Sequence, residues 1–104
     1  MLRAHPLFLE IAARLRELAH DPQTEWSYYI HAQDEMIDAG LDENDAVYVL
    51  QNGKITHGES RGDRWTRRYR IEELSDGVHA AFGVRFSLEE EKWIEIITAF
   101  RVRE

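Results

Sequence analysis

A chain of 104 residues that is 43% apolar and 11% aromatic has hydrophobic surface for one modest core, so one domain over residues 1–104 is expected. The absence of cysteine excludes disulfides, thiolate nucleophiles and cysteine-based zinc sites. A formal net charge of -7 argues against non-specific coating of a polyanion, and no apolar run reaches the ~18 residues of a membrane span.

Pro6 suits the first turn of a helix, and Leu7, Phe8, Ile11, Leu15 and Leu18 recur at helical spacing until the Asp21-Pro22 break. Ser27 is placed to cap a second helix that turns Ile30, Met36 and Ile37 to the core and ends at Gly40. Asp42 starts a short third helix carrying Ala46, Val47 and Leu50, closed by Asn52-Gly53. From Lys54 the period falls toward two, giving strands near 54–59, 64–72, 78–87 and 92–102. The turn Ser75-Asp76-Gly77 and the short link Leu88 to Glu91 make antiparallel neighbours. The expected fold is therefore α+β, with two to three N-terminal helices packed on a four-stranded antiparallel sheet.

Alternation sorts the strand residues into faces. Val78, Ala80, Phe82, Val84 and Phe86 share one face of the third strand, and Ile94, Ile96, Thr98, Phe100 and Val102 one face of the fourth; these are expected to meet the helices. His79, Arg85, Trp93, Glu95 and Arg101 then point outward. The second strand follows a basic run, RGDRWTRRYR, in which Arg61, Arg64, Arg67, Arg68 and Arg70 face the single acid Asp63. Burying Trp65, Tyr69 and Ile71 turns Arg68 and Arg70 to solvent, so the outer sheet face is expected to be cationic. Arginine suits phosphate because its planar fork donates two parallel hydrogen bonds and keeps its charge.

Tyr29-Ile30-His31-Ala32, followed by Met36, Gly40-Leu41, Asp45, Val47, Leu50 and Asn52-Gly53, resembles the small bacterial family known as domain of unknown function 4258. Arg68-Tyr69-Arg70 and Ile96-Ile97-Thr98 are similar to that family's later strands. The resemblance spans a core of residues 27–102 and leaves helix one, within 1–22, outside. The chain departs from the family in the acidic Asp34, Glu35 and Asp38, where arginine is usual, and in a longer segment 72–93. The family is in turn similar to RelE-like and MqsR-like toxins, which share a RelE/barnase-like plan of helices and an antiparallel sheet and cut messenger RNA without a metal. The resemblance thus implies a metal-independent endoribonuclease of the toxin-antitoxin kind, with an RNA substrate and a cognate antitoxin as protein partner.

Metal-free RNA cleavage needs a base for the 2′-hydroxyl, an acid for the leaving oxygen and cations on the phosphate. His31, at the start of the second helix, is a candidate base, since imidazole exchanges protons near neutral pH. Arg68 and Arg70 are the phosphate-binding candidates. Tyr69 is either a core residue or, if its face is inverted, a proton donor or stacking partner. His79 is a candidate acid, and Arg85 would complete the set. His5, His20, His31, His57 and His79 lack the spacing that places two imidazoles on one ion, so no metal or other cofactor is expected. The structural readings stand beside these: His31 bonded to its neighbours, the arginines paired with some of the 20 acidic residues, His79 solvated. A non-catalytic interaction module, binding a protein through acidic helices or exposed aromatics, is the alternative function. The first residues lack the basic-apolar-small pattern of a secretory signal, which makes the cytoplasm the expected location.

Overall fold

A computed structural model describes residues 6–59 and 68–102. The side chains of Leu7 and Phe8, and the expected contributions of Arg61, Arg64, Trp65 and Arg67, lie outside the described residues. The elements run α1 (Pro6–His20), β1 (Glu25–Tyr28), α2 (Ile30–Ala39), α3 (Glu43–Asn52), β2 (Lys54–Glu59), β3 (Arg68–Ser75), β4 (Val78–Phe86) and β5 (Trp93–Arg101). Among the described residues the sheet has five strands in the order β1-β5-β4-β3-β2. β2 to β5 form the antiparallel meander, and β1 joins its far edge parallel to β5. The protein is therefore α+β with a mixed five-stranded sheet, in place of the expected four-stranded antiparallel one.

β1 also corrects the reading of Ser27. This residue lies inside the strand opposite Glu95, and α2 is capped by Tyr29, which offers no side-chain bond. Trp26 and Tyr28 alternate with polar residues and pack against the core, so four residues of period two suffice once β5 presents an edge.

Gly40 ends α2 at φ 69, where its N–H bonds Ile37 O and the Leu41 N–H bonds Met36 O. That pair of bonds closes the last turn, and Leu41 is buried with Met36 beneath it. Ile30 and Ile37 do not join them. They are 79% and 76% exposed, and the buried face of α2 is Ala32 and Met36. α3 opens with a reciprocal cap: Asp42 accepts from the Asp45 N–H and Asp45 from the Asp42 N–H, each at 2.9 Å. Its buried face is Ala46, Val49 and Leu50, with Val47 half-buried. Helix α1 belongs to the core, burying Ile11, Leu15, Leu18 and Ala19. Arg14 ties it to the β4–β5 connection by donating to the carbonyls of Ser87, Glu89 and Glu91.

The helices share one cluster with Tyr69, Ile71, Ala80, Phe82, Val84, Phe86, Ile94, Ile96 and Ala99, which marks the inner sheet face. Asp76 at φ 49 and Gly77 at φ 81 make the tight β3–β4 turn. Two bulges then reset alternation. On β5 the register passes from Ile96 opposite Val84 to Thr98 opposite Gly83, so Ile97 is the extra residue. Thr98 and Phe100 consequently leave the expected core face for the outer one. Arg101 moves the other way and donates from Nε to Ala39 O at 2.7 Å. On β2 the register slips between Ile55 and His57, so Ile55 packs on the core while His57 turns outward.

Candidate functional site

The two bulges assemble one rung across four strands. His57 is opposite Arg70, Arg70 opposite Gly83, and Gly83 opposite Thr98. On this rung the outer face holds an open cleft of about 350 Å³ lined, among the described residues, by His57, Arg68, Tyr69, Arg70, Gly83, Ile97 and Thr98. Gly83 is what gives the cleft its depth. A Cβ there would overlap the Thr98 hydroxyl, so the backbone of β4 is left bare in the floor. None of the three helices packs over this face among the described residues.

The polar side chains around the cleft hold one another in place. Glu72, whose side chain is only 11% exposed, lies 2.9 Å from Arg70 Nε through Oε2 and 3.3 Å from His79 Nε2 through Oε1. Oε2 also accepts the Thr56 hydroxyl, and that hydroxyl oxygen is 3.1 Å from His57 Nδ1. The Arg70 guanidinium stands 4.6 Å over the Phe100 ring, an attraction between the cation and the ring's negative face. Glu72 and Phe100 therefore fix the Arg70 fork from its stem and one side. On the next rung Arg85 Nη2 lies 3.3 Å from both carboxylate oxygens of Glu95 and 2.6 Å from the Tyr29 hydroxyl. The outer face is thus a mosaic of arginines with paired glutamates, less uniformly cationic than the sequence suggests.

Of the residues proposed from sequence, Arg68, Tyr69 and Arg70 line the cleft together. Tyr69 turns its ring inward against Phe86, with centroids 5.4 Å apart, and its buried hydroxyl has no partner among the described residues. His79 joins the cluster indirectly through Glu72. His31 does not line the cleft; its side chain is 70% exposed, with Nε2 3.2 Å from Glu35 Oε1. Glu35 in turn accepts the Ala99 N–H at 3.2 Å, so this pair serves the edge of β5 where β1 has ended. His57, Thr98 and Glu72 were not singled out from sequence. The first two reach the face only through bulges, which strict alternation cannot show.

Among the described residues no group of three or more histidine, aspartate and glutamate side chains converges on a position for a metal ion. No protein-family model matches the chain, and no curated protein matches it. The reading of the site accordingly rests on its own geometry.

Proposed function

We propose that the protein is a metal-independent endoribonuclease, similar to the messenger-RNA-cleaving toxins, that seats a single-stranded RNA in the outer-face cleft. The observation that carries this reading is the rung of His57, Arg70, Gly83 and Thr98 with Arg68 beside it, which gathers a proton-transfer group, two guanidinium groups and a hydroxyl around a bare floor. In this reading the 2′-oxygen attacks phosphorus as His57 takes its proton, the bond to the 5′-oxygen breaks, and that oxygen is protonated by the same imidazole or by water. A 2′,3′-cyclic phosphate and a 5′-hydroxyl result. Arg68, Arg70 and the Thr98 hydroxyl stabilise the charge that builds on the non-bridging oxygens. A cognate antitoxin covering the outer face would restrain the enzyme, as the family resemblance implies.

The test is cleavage of an end-labelled single-stranded RNA in EDTA. Defined cuts that disappear in Arg68→Ala/Arg70→Ala and His57→Ala, and persist in His31→Ala, support the proposal. No cutting by folded wild-type protein at high excess rejects it. The second reading, a protein-interaction module, draws on the exposure of Ile30 and Ile37 on an acidic helix. It gains if the wild type cuts nothing while an Ile30→Ser/Ile37→Ser variant loses a self-association that the wild type shows.

A further inference from the structure

Resting on the nuclease reading, and deepening it, we infer that Tyr29 and Arg85 form a nucleotide subsite next to the cleft, Tyr29 stacking a base and Arg85 binding its phosphate. The ligand is then a single-stranded nucleic acid that spans at least two nucleotides.

Register sets the placement. Tyr69 is opposite Val84, so one step along these antiparallel strands puts Arg68 opposite Arg85 on the outer face. Arg85 is two residues from Gly83, ~6.6 Å along the strand, and so borders the cleft floor. Tyr29 donates its N–H to Ile96 O at 3.0 Å, which sets it beside the Ile97 that lines the cleft. Neither residue lines the cleft itself, but each stands beside residues that do, Arg85 by Gly83 and Tyr29 by Ile97.

The chemistry suits a nucleotide. Tyr29 is outside the core cluster and 37% exposed, yet its hydroxyl is held by Arg85 at 2.6 Å. A partly exposed aromatic ring held at its tip loses little freedom when a base stacks on its exposed part. Glu95 and Tyr29 both engage Nη2 of Arg85, while Nε and Nη1 take no hydrogen-bond partner among the described residues. The guanidinium is thereby oriented with Nη1 left for a phosphate oxygen, Nε being buried.

The test uses a fluorescent 2′-deoxy oligonucleotide, which lacks the attacking hydroxyl, with binding measured against salt concentration. The wild type is expected to prefer the single strand to its duplex. Tyr29→Ala should weaken binding about tenfold, Tyr29→Phe should weaken it less because the ring remains while its pin is lost, and Arg85→Gln should reduce the slope of log K on log salt by about 0.7. Thermal unfolding of each variant checks the fold. Equal binding by wild type and Tyr29→Ala, or a Tyr29→Phe variant as weak as Tyr29→Ala, overturns the subsite. RNA cutting by the wild type with KM unchanged in Tyr29→Ala and Arg85→Gln overturns the subsite and leaves the nuclease standing. The expected binding pattern without RNA cutting supports the subsite and rejects the nuclease. Wild-type protein that binds no single strand overturns both.

Discussion

Gly83 and Thr98 face each other across β4 and β5 so closely that the threonine hydroxyl occupies the place of a glycine Cβ. Gly83→Ala must therefore turn Thr98 or part the strands, at about 1–3 kcal/mol, and it fills the cleft floor as well. Removing the obstructing hydroxyl should relieve the strain, because the Thr98 Cβ lies 3.6 Å from the added carbon, an ordinary contact. The expected result is that Gly83→Ala/Thr98→Ala is more stable than Gly83→Ala alone in denaturant unfolding. Equal stability of the two would show that the crowding is not what Gly83 relieves. RNA cleavage should stay low in both, since each has lost floor space or the hydroxyl.

Acid should weaken the fold through Asp45. Partial burial works to raise its pKa, but the Asp42 N–H and the Ser75 hydroxyl, together with its other contact to Asp42, outweigh burial and hold it below 3.8. The unfolded chain then binds more protons than the folded one just below pH 3.8, so this contribution is full above that pH and is lost as pH falls through the folded value. Ser75→Ala removes the bond that Ser75 Oγ donates to Asp45 at 2.7 Å. Its destabilisation in thermal unfolding should be larger at neutral pH than below the folded pKa of Asp45. A pH-independent difference would reject the coupling.

Local signals made much of this fold legible. The Gly40 and Asp42 caps, the Asp76-Gly77 turn and the alternation of β3 and β4 each depend on residues within a few positions of one another. What could not be read from sequence depends on distant chain. β1 is only Glu25–Tyr28, and it is a strand because Ile94 and Ile96 arrive beside it from the far end of the sequence. The bulges at Thr56 and Ile97 reverse alternation in mid-strand, which moved His57, Thr98 and Phe100 onto the outer face and Arg101 off it. Arg68 and Arg70 were placed correctly because β3 has no bulge between them and Ile71. The role of α1 was hidden for a related reason: Arg14 finds its carbonyl partners more than seventy residues away.

Helix α2 offers a direct check on the revised faces. Met36 is 5% exposed and Ile37 76%, although both are large apolar residues at adjacent positions. Met36→Ala should cost about 2–5 kcal/mol, as for a deleted core side chain. Ile30→Gln/Ile37→Gln should change stability by no more than about 0.5 kcal/mol per site, since surface positions rarely exceed that. Comparable losses in the two variants, measured by urea unfolding, would mean that the isoleucines are covered in solution.

Glu72 connects stability to the site, because one nearly buried carboxylate serves Arg70, His79 and Thr56. Glu72→Ala leaves the buried Nε of Arg70 without this counter-charge, while the exposed Thr56 hydroxyl turns to water. Such an orphaned group typically costs about 1–3 kcal/mol. Arg70→Ala creates the converse defect, a shielded carboxylate stripped of its cation. Removing both should cost less than the two single losses added together, by about 0.5–3 kcal/mol of coupling. Glu72→Gln retains an acceptor for Thr56 while weakening the hold on Arg70, so it should preserve most of the stability and still impair RNA cleavage. Additive single losses, or a Glu72→Gln protein with unaltered cleavage, would show that Glu72 does not position Arg70.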